Sequence, residues 1–176
     1  GTAKFVLRSA GKTTRLENFS LEGKGFGAQG TIVLDSAGLL EANLRKVVLN
    51  RTDEFDVSTN RTRRGYKVAV SARSYDGRAI IQKFLDNQRT NPKGGKTVSI
   101  NGSIGKLIGF NGAVLTSVSL DFVQTGSRVV RAQVKSFAAG SAVTNFALQP
   151  VKGGVETNIY SENAGAVLGF LDPYRK

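Results

Sequence analysis

The chain has 176 residues, of which 40 % are hydrophobic and 22 % charged, so it can fold around a core and does not have the composition of a disordered tail. It contains no Cys and no His, which excludes disulfides, thiolate metal sites and the commonest general base. Its 25 Lys and Arg against 13 Asp and Glu give a formal charge of +12, which is typical of proteins with polyanionic partners such as nucleic acid or anionic lipids.

The ends of the chain carry no obvious targeting signal. No apolar run approaches the roughly 18 residues that a membrane-spanning helix needs, and a secretory signal pattern is absent. There is also no Met in the sequence. We therefore expect the chain to be a piece of a longer protein, with any targeting or membrane segment outside it.

Apolar and polar residues alternate along most of the chain, with Gly-rich turns between the alternating segments. The alternation puts these residues on common faces: Tyr66, Val68, Val70 and Ala72 in one segment, and Val114, Thr116, Val118, Leu120 and Phe122 in another. With 21 Gly marking bends, the pattern predicts nine or ten strands joined by short turns, as in an antiparallel meander.

Two segments show helical spacing instead. The spaced apolar residues are Ile80, Ile81, Phe84 and Leu85 in the first, and Ala166, Val167, Phe170 and Leu171 in the second. Asp76 is the predicted N-cap of the first helix and Ser161 that of the second, which Pro173 should end. Both segments contain Phe-Leu-Asp, 86 residues apart, which favours a repeat over a chance recurrence.

The sequence therefore predicts a mainly β fold, in which two repeated antiparallel multi-strand units form a curved or groove-like sheet and each unit is closed by a short amphipathic helix. The first unit covers residues 1–90 with its helix at about 77–88. Residues 91–96 are a linker, and the second unit covers 97–176 with its helix at about 162–171. We expect six residues to pack the helices on the sheet: Ile81, Phe84, Leu85, Val167, Phe170 and Leu171.

Motifs that resemble catalytic or nucleotide-binding sites do not fit their patterns. The Gly-Gly-Lys-Thr at 94–97 has Thr90 where a phosphate-binding loop needs Gly. The Gly-rich stretch 23–30 leads into a predicted strand, whereas a dinucleotide fingerprint leads into a helix. The acidic cluster at 53–56 is flanked by Arg residues and has the wrong spacing for a calcium loop. We predict a non-catalytic protein without a cofactor or metal.

The tightest cationic cluster is Arg61, Arg63, Arg64 and Lys67, which is either a head-group or phosphate contact or a solvated turn. Nucleic-acid binding remains an alternative because of the net charge. We do not expect it to be the main function, since most of the 10 Phe lie among aliphatic residues and there is no Trp to stack on bases.

The second helical segment carries a resemblance to a known family. Ser161, Asn163, Ala164 and Gly165, followed by a short apolar helix, resemble the closing motif of AsmA-like proteins of Gram-negative envelopes. Six upstream residues are similar to that family's turn pattern: Asp35, Gly38, Gly65, Tyr66, Asp76 and Gly77. The first copy of the motif, at 74–77, departs from the family's Ala-Gly form.

The resemblance implies a segment of a bridge-like, repeating β-groove protein. Such a protein is tethered to the inner membrane through segments outside this chain and projects into the periplasm. There it would take part in phospholipid transport and outer-membrane homeostasis, and the sheet would continue beyond residue 176. The expected partner is a phospholipid or another acyl-chain lipid, with head groups at Arg61, Arg63, Arg64 and Lys67. The expected groove-lining residues are Tyr66, Val68, Val70, Val118, Leu120, Phe122, Phe146 and Leu148. A structural or protein-interaction β module without lipid cargo is the alternative.

Overall fold

The computed structural model describes residues 1–49, 53–87, 95–126, 128–152 and 154–172, with no account of the side chains at 83–87, 154 and 155. The strands are β1 (Thr2–Ala10), β2 (Thr13–Gly23), β3 (Phe26–Asp35), β4 (Gly38–Val48), β5 (Glu54–Thr62), β6 (Gly65–Asp76), β7 (Thr97–Ile108), β8 (Val114–Thr125), β9 (Arg128–Ala138), β10 (Ala142–Val151) and β11 (Gly154–Ser161). The helices are α1 (Arg78–Asn87) and α2 (Ala164–Leu171), and a 3-10 turn covers Phe110–Gly112. With 74 % of residues in strands and 10 % in helices, the fold is mainly β, as predicted.

All eleven strands belong to one sheet, and their order in the sheet follows their order in the chain. Every neighbouring pair is antiparallel except β6 and β7, which run parallel. A parallel pair needs a crossover, and α1 lies in this one. The two predicted units therefore contribute to one continuous mixed sheet. The described residues form eleven strands, where the sequence predicted nine or ten.

The strand alternation follows the prediction in β6 and departs from it in β8. In β6, Tyr66, Val68, Val70 and Ala72 share a face, as their partners in β5 show. In β8, Ser117 has a positive φ of 49° and shifts the register with β9. This irregularity moves Thr116 to the face opposite Val118, so the predicted common face for Val114 to Phe122 is wrong.

Both helices pack on the apolar face of the sheet at one end of strands β6–β9. The buried cluster there consists of Ala72, Ile104, Leu115, Val118, Ala138, Val167 and Phe170. Ile81 of α1 and Leu171 of α2 pack against this cluster and are partly buried. The predicted contacts of Phe84 and Leu85 lie outside the described side chains. The helices thus form a partial second layer over one end of the sheet.

The cap of α2 is not the predicted residue. The side chain of Asn163 accepts a hydrogen bond from the backbone N–H of Ala166 at 3.0 Å, so Asn163 is the N-cap. Ser161 lies two residues earlier, where its hydroxyl oxygen accepts a hydrogen bond from the Asn163 N–H at 3.0 Å. In α1, Asp76 accepts from the N–H of Arg78, the first helical residue. The predicted end at Pro173 lies outside the described residues.

We expect Phe170→Ala to lower the free energy of unfolding by about 3–5 kcal/mol, because it empties a buried aromatic position. Phe170 is 4 % exposed, and its ring fits over Gly109 so closely that a Cβ there would lie 2.2 Å from a ring carbon. Leu168→Ala is the control in the same helix, because Leu168 is 65 % exposed. Its effect should stay within about 0.5 kcal/mol in urea unfolding. Equal effects of the two variants would show that α2 does not pack on the sheet.

Ser117→Gly should raise the free energy of unfolding by about 1 kcal/mol, because a left-handed backbone is unfavourable for a residue with a Cβ. Ser119→Gly provides the matched control at an exposed, regular position of the same strand. There, Gly should lower the free energy of unfolding by about 0.5–1 kcal/mol. Chemical denaturation measures both changes, and the same sign for both would argue against the bend at Ser117.

Candidate binding surface

Two rows of side chains cross the sheet on the same face as the helices, at right angles to the strands. Residues that are partners in neighbouring strands point to the same side, so the register defines each row. The first row crosses all eleven strands through Leu7, Leu16, Ile32, Ala42, Thr59, Val68, Ile100, Phe122, Ala132, Leu148 and Thr157. The second crosses β2–β11 through Phe19, Gly30, Leu44, Val57, Val70, Gly102, Leu120, Val134, Phe146 and Ile159. We call these two rows the apolar track.

The opposite face of the same strands is polar. Between the two rows of the track, the intervening positions point to the other side of the sheet. These are Thr31, Asn43, Ser58, Ala69, Asn101, Asp121, Gln133, Ala147 and Asn158. Apart from two Thr, the apolar track contains only apolar residues and Gly, so the two faces of the sheet differ sharply in their affinity for water.

No second sheet covers the apolar track, because all the described strands belong to one sheet. The helices cover the cluster at one end of β6–β9, and Val134 is a track residue that touches this cluster. The edge residues Leu7 and Ile159 are 59 % and 52 % exposed, and most residues between them are partly exposed. The track is therefore an accessible apolar surface, and not the centre of a packed two-layer core.

The structure places all eight predicted groove residues on this face, with different accessibilities. Tyr66, which flanks the track, and Val68, Val70, Leu120, Phe122 and Phe146, which belong to it, are partly exposed. Val118 is buried in the helix-covered cluster at 3 % exposure, and Leu148 is 2 % exposed. Val118 and Leu148 thus contribute little accessible surface.

The ends of the strands away from the helix-covered cluster carry a set of cations. Five of the six connections at this end contain Lys or Arg, namely Ala10–Thr13, Thr62–Gly65, Gly95–Thr97, Thr125–Arg128 and Val151–Gly154, and the sixth, Asp35–Gly38, contains neither. The exposed cations within them are Lys12, Arg63, Arg64, Lys96, Arg128 and Lys152. We call these six residues the basic rim. Salt bridges within the described part of the chain involve other cations.

The four predicted head-group contacts differ in position. Arg63 and Arg64 belong to the basic rim in the exposed turn between β5 and β6. Lys67 is exposed on the polar face, because it is the partner of Asn60 and alternates with Tyr66 and Val68. Lys67 is therefore close to Arg63 and Arg64 in the sequence, but its side chain lies on the face of the sheet opposite the apolar track.

Arg61 lies on the apolar face beside Tyr66 and is held in an ion pair. Its guanidinium reaches across β4 and donates two hydrogen bonds to the carboxylate of Asp35, one of them at 2.9 Å. The Ala37 N–H donates to the same carboxylate at 2.8 Å. Tyr66 in turn donates its hydroxyl hydrogen to the Leu39 carbonyl at 3.2 Å, across β5. These contacts tie the β3–β4 turn to the β5–β6 turn.

Sequence reasoning missed four residues of the basic rim: Lys12, Lys96, Arg128 and Lys152. Each is a single cation in its own turn, and only the meander topology brings them to one end of the sheet. The signal in the sequence was a Lys or Arg in five of the six connections at this end of the strands. Lys96 also lies over the Tyr66 ring, with its Nζ 5.8 Å from the ring centroid, so this cation is directed towards the apolar face.

No protein-family model, no curated protein and no solved structure matches this chain. The resemblance to AsmA-like proteins therefore stays a prediction from the sequence. Neither described helix combines the length and the apolar character that crossing a bilayer requires. Within the described ranges, no three Asp or Glu side chains come together in a way that could hold a metal ion.

The ion pair at the rim predicts a pH dependence. Hydrogen bonds from Arg61, and next from the Ala37 N–H, hold the pKa of Asp35 below its usual value. A carboxyl with a lowered pKa stabilises the fold above its unfolded pKa, and this contribution is lost as the pH falls through the lower, folded pKa. The difference in melting temperature between the native chain and Asp35→Asn should therefore shrink as the pH falls from about 5 to about 2.

Arg61→Gln is the partner control for this measurement. It breaks the same pair from the other side, so its melting-temperature difference from the native chain should shrink over the same pH range. A difference that stays constant with pH for both variants would show that the pair does not contribute to stability.

Proposed function

We propose that this chain is a lipid-binding segment that holds acyl chains along its apolar track and does not catalyse a reaction. The observation that carries the proposal is the continuity of the track, which crosses eleven strands on one face, while the described residues form no second sheet above it. Each CH₂ group that such a surface removes from water contributes up to about 0.8 kcal/mol, the value for full burial. The affinity therefore comes from contact area, and a specific pocket is not required.

The dimensions of the apolar track suit extended hydrocarbon chains. Neighbouring strands lie about 4.8 Å apart, so eleven strands give a track of roughly 50 Å. The hydrocarbon core of a bilayer, which contains two layers of acyl chains, is about 30 Å thick. A single acyl chain is therefore shorter than the track and can occupy different positions along it, as transport along a groove requires.

The wider role follows from the resemblance to AsmA-like proteins. In this proposal the chain is part of a periplasmic protein of a Gram-negative bacterium, tethered to the inner membrane through other segments, that moves phospholipids and supports outer-membrane homeostasis. The one-layer sheet with one apolar and one polar face is what a groove-forming segment needs. A purely structural module would be more stable with its apolar face covered by another layer. The accessible apolar track therefore favours lipid binding over a purely structural role.

Val70→Asp tests the proposal on the apolar track. A carboxylate at this partly exposed position should displace at least two CH₂ groups of a bound chain, so the Kd for a fluorescent fatty acid should rise about tenfold. Ala69→Asp is the matched control, because the neighbouring residue is exposed on the polar face. Its Kd should stay within about twofold of the native value.

Folding is checked for both variants by circular dichroism, and Leu44→Gln gives a second, milder change on the apolar track. Mass spectrometry of organic extracts from the purified native chain should show co-purified acyl lipids. A native chain that binds no fatty acid and carries no lipid would overturn the proposal, as would equal effects of Val70→Asp and Ala69→Asp.

A further inference from the structure

We propose that the basic rim selects the ligand by the charge of its head group, so that the preferred occupant of the apolar track is an anionic phospholipid. Its phosphate lies at the rim while its acyl chains lie on the track. This inference rests on the proposed function, because it concerns the head group of the same ligand. It adds a preference for net negative lipids over zwitterionic lipids of equal chain length.

The distribution of charge between the two ends of the strands supports this inference. The six rim connections contain six cations and one acidic residue, Asp35, whose carboxylate is paired with Arg61. The described connections at the opposite end are mixed, with cations Lys24 and Arg78 and acids Asp53, Asp76 and Glu162. The excess positive charge is therefore concentrated at the end of the apolar face that the helices leave uncovered, where it raises the local concentration of anions.

The distance between the rim and the apolar track suits one amphiphile. Leu7 precedes the end of β1 by three residues, and Val68 follows the start of β6 by three, so the first row lies about 10 Å from the turns. A phosphate at the turns and an acyl chain on the track can thus belong to one molecule. The position of Lys96 over the Tyr66 ring puts one rim cation at the boundary between the two surfaces.

A lipid fits the basic rim better than a nucleic acid does. Proteins that bind single-stranded nucleic acid combine cations with aromatic side chains on which bases stack. The six rim connections contain no aromatic residue. Beyond the turns, the residues next to the rim are mainly aliphatic. Aliphatic side chains can contact acyl chains, but they provide few aromatic rings on which bases could stack.

The test is a competition experiment with the full chain. A fluorescent fatty acid bound to the protein is displaced by dihexanoyl-phosphatidylglycerol or by dihexanoyl-phosphatidylcholine, which have the same acyl chains and different net charge. Phosphatidylglycerol should compete about tenfold more strongly in low salt, and the preference should shrink in high salt because ions screen the rim. Glycerol 3-phosphate and a short single-stranded DNA are tested alone as anions without acyl chains.

A rim variant and a matched control test whether the preference for phosphatidylglycerol depends on the basic rim. Arg63→Gln, Arg64→Gln and Lys96→Gln together remove three rim cations, and the lipid preference should fall to about twofold. Lys67→Gln, Lys106→Gln and Lys135→Gln remove the same charge from exposed positions on the polar face and should leave the preference unchanged. Arg128→Gln with Lys152→Gln is a second rim variant if the first fails to fold.

Each result decides between the two proposals. Equal competition by the two lipids, with the fatty acid still bound, would overturn charge selection and leave acyl binding intact. Equal losses in the rim and control variants would also overturn it, because total charge would then explain the preference. Binding of glycerol 3-phosphate or DNA as tight as that of phosphatidylglycerol would define a general anion site instead. A native chain that does not bind the fatty acid would overturn both proposals.

Discussion

An eleven-strand sheet with one apolar face has to shield that face, because large exposed apolar areas are rare on soluble surfaces. The chain meets this constraint only in part. Phe170 and Val167 of α2 cover the ends of β7–β9, and α1 makes the parallel crossover and contributes Ile81 to the same cluster. The helices are too short to reach across the remaining strands, so among the described residues the apolar track is the part of this face without a covering layer.

Backbone irregularities shape this surface. Asn18, Lys46 and Ser117 have positive φ angles in β2, β4 and β8, and each accompanies a register shift with a neighbouring strand. Such bulges increase local twist and bend the strands that contain them. Neighbouring side chains in the same row also shield one another, so track residues such as Val70 and Leu120 are only partly exposed although the described strands form no second sheet over them.

Sequence patterns predicted what depends on local periodicity and missed what depends on backbone detail or topology. The face of Tyr66 to Ala72 was predictable because β6 is regular there. The face of Thr116 was not predictable, because it depends on the left-handed backbone of the neighbouring Ser117. Ser is not a residue type that indicates such a backbone. Asn163 replaces Ser161 as the cap because the helix begins two residues later than the Ser motif suggests. Local sequence patterns could not predict the basic rim, because its turns are far apart in the sequence and come to the same end of the sheet only in the folded chain.

The geometry of the basic rim also bears on how tightly a ligand is held. Successive rim turns are two strands apart, about 10 Å, which is close to the Debye length of about 8 Å at physiological ionic strength. The potentials of neighbouring cations such as Arg64 and Lys96 therefore overlap, and the rim cations from Arg63 to Lys152 form a positive band along the apolar track. Lys12 is separated from this band by the turn Asp35–Gly38, which contains no cation. An enclosed pocket would hold one head group in one orientation. Under the proposed function, a band of this kind would offer similar binding energy at several positions, so a bound amphiphile could move along the sheet without first losing its electrostatic contact.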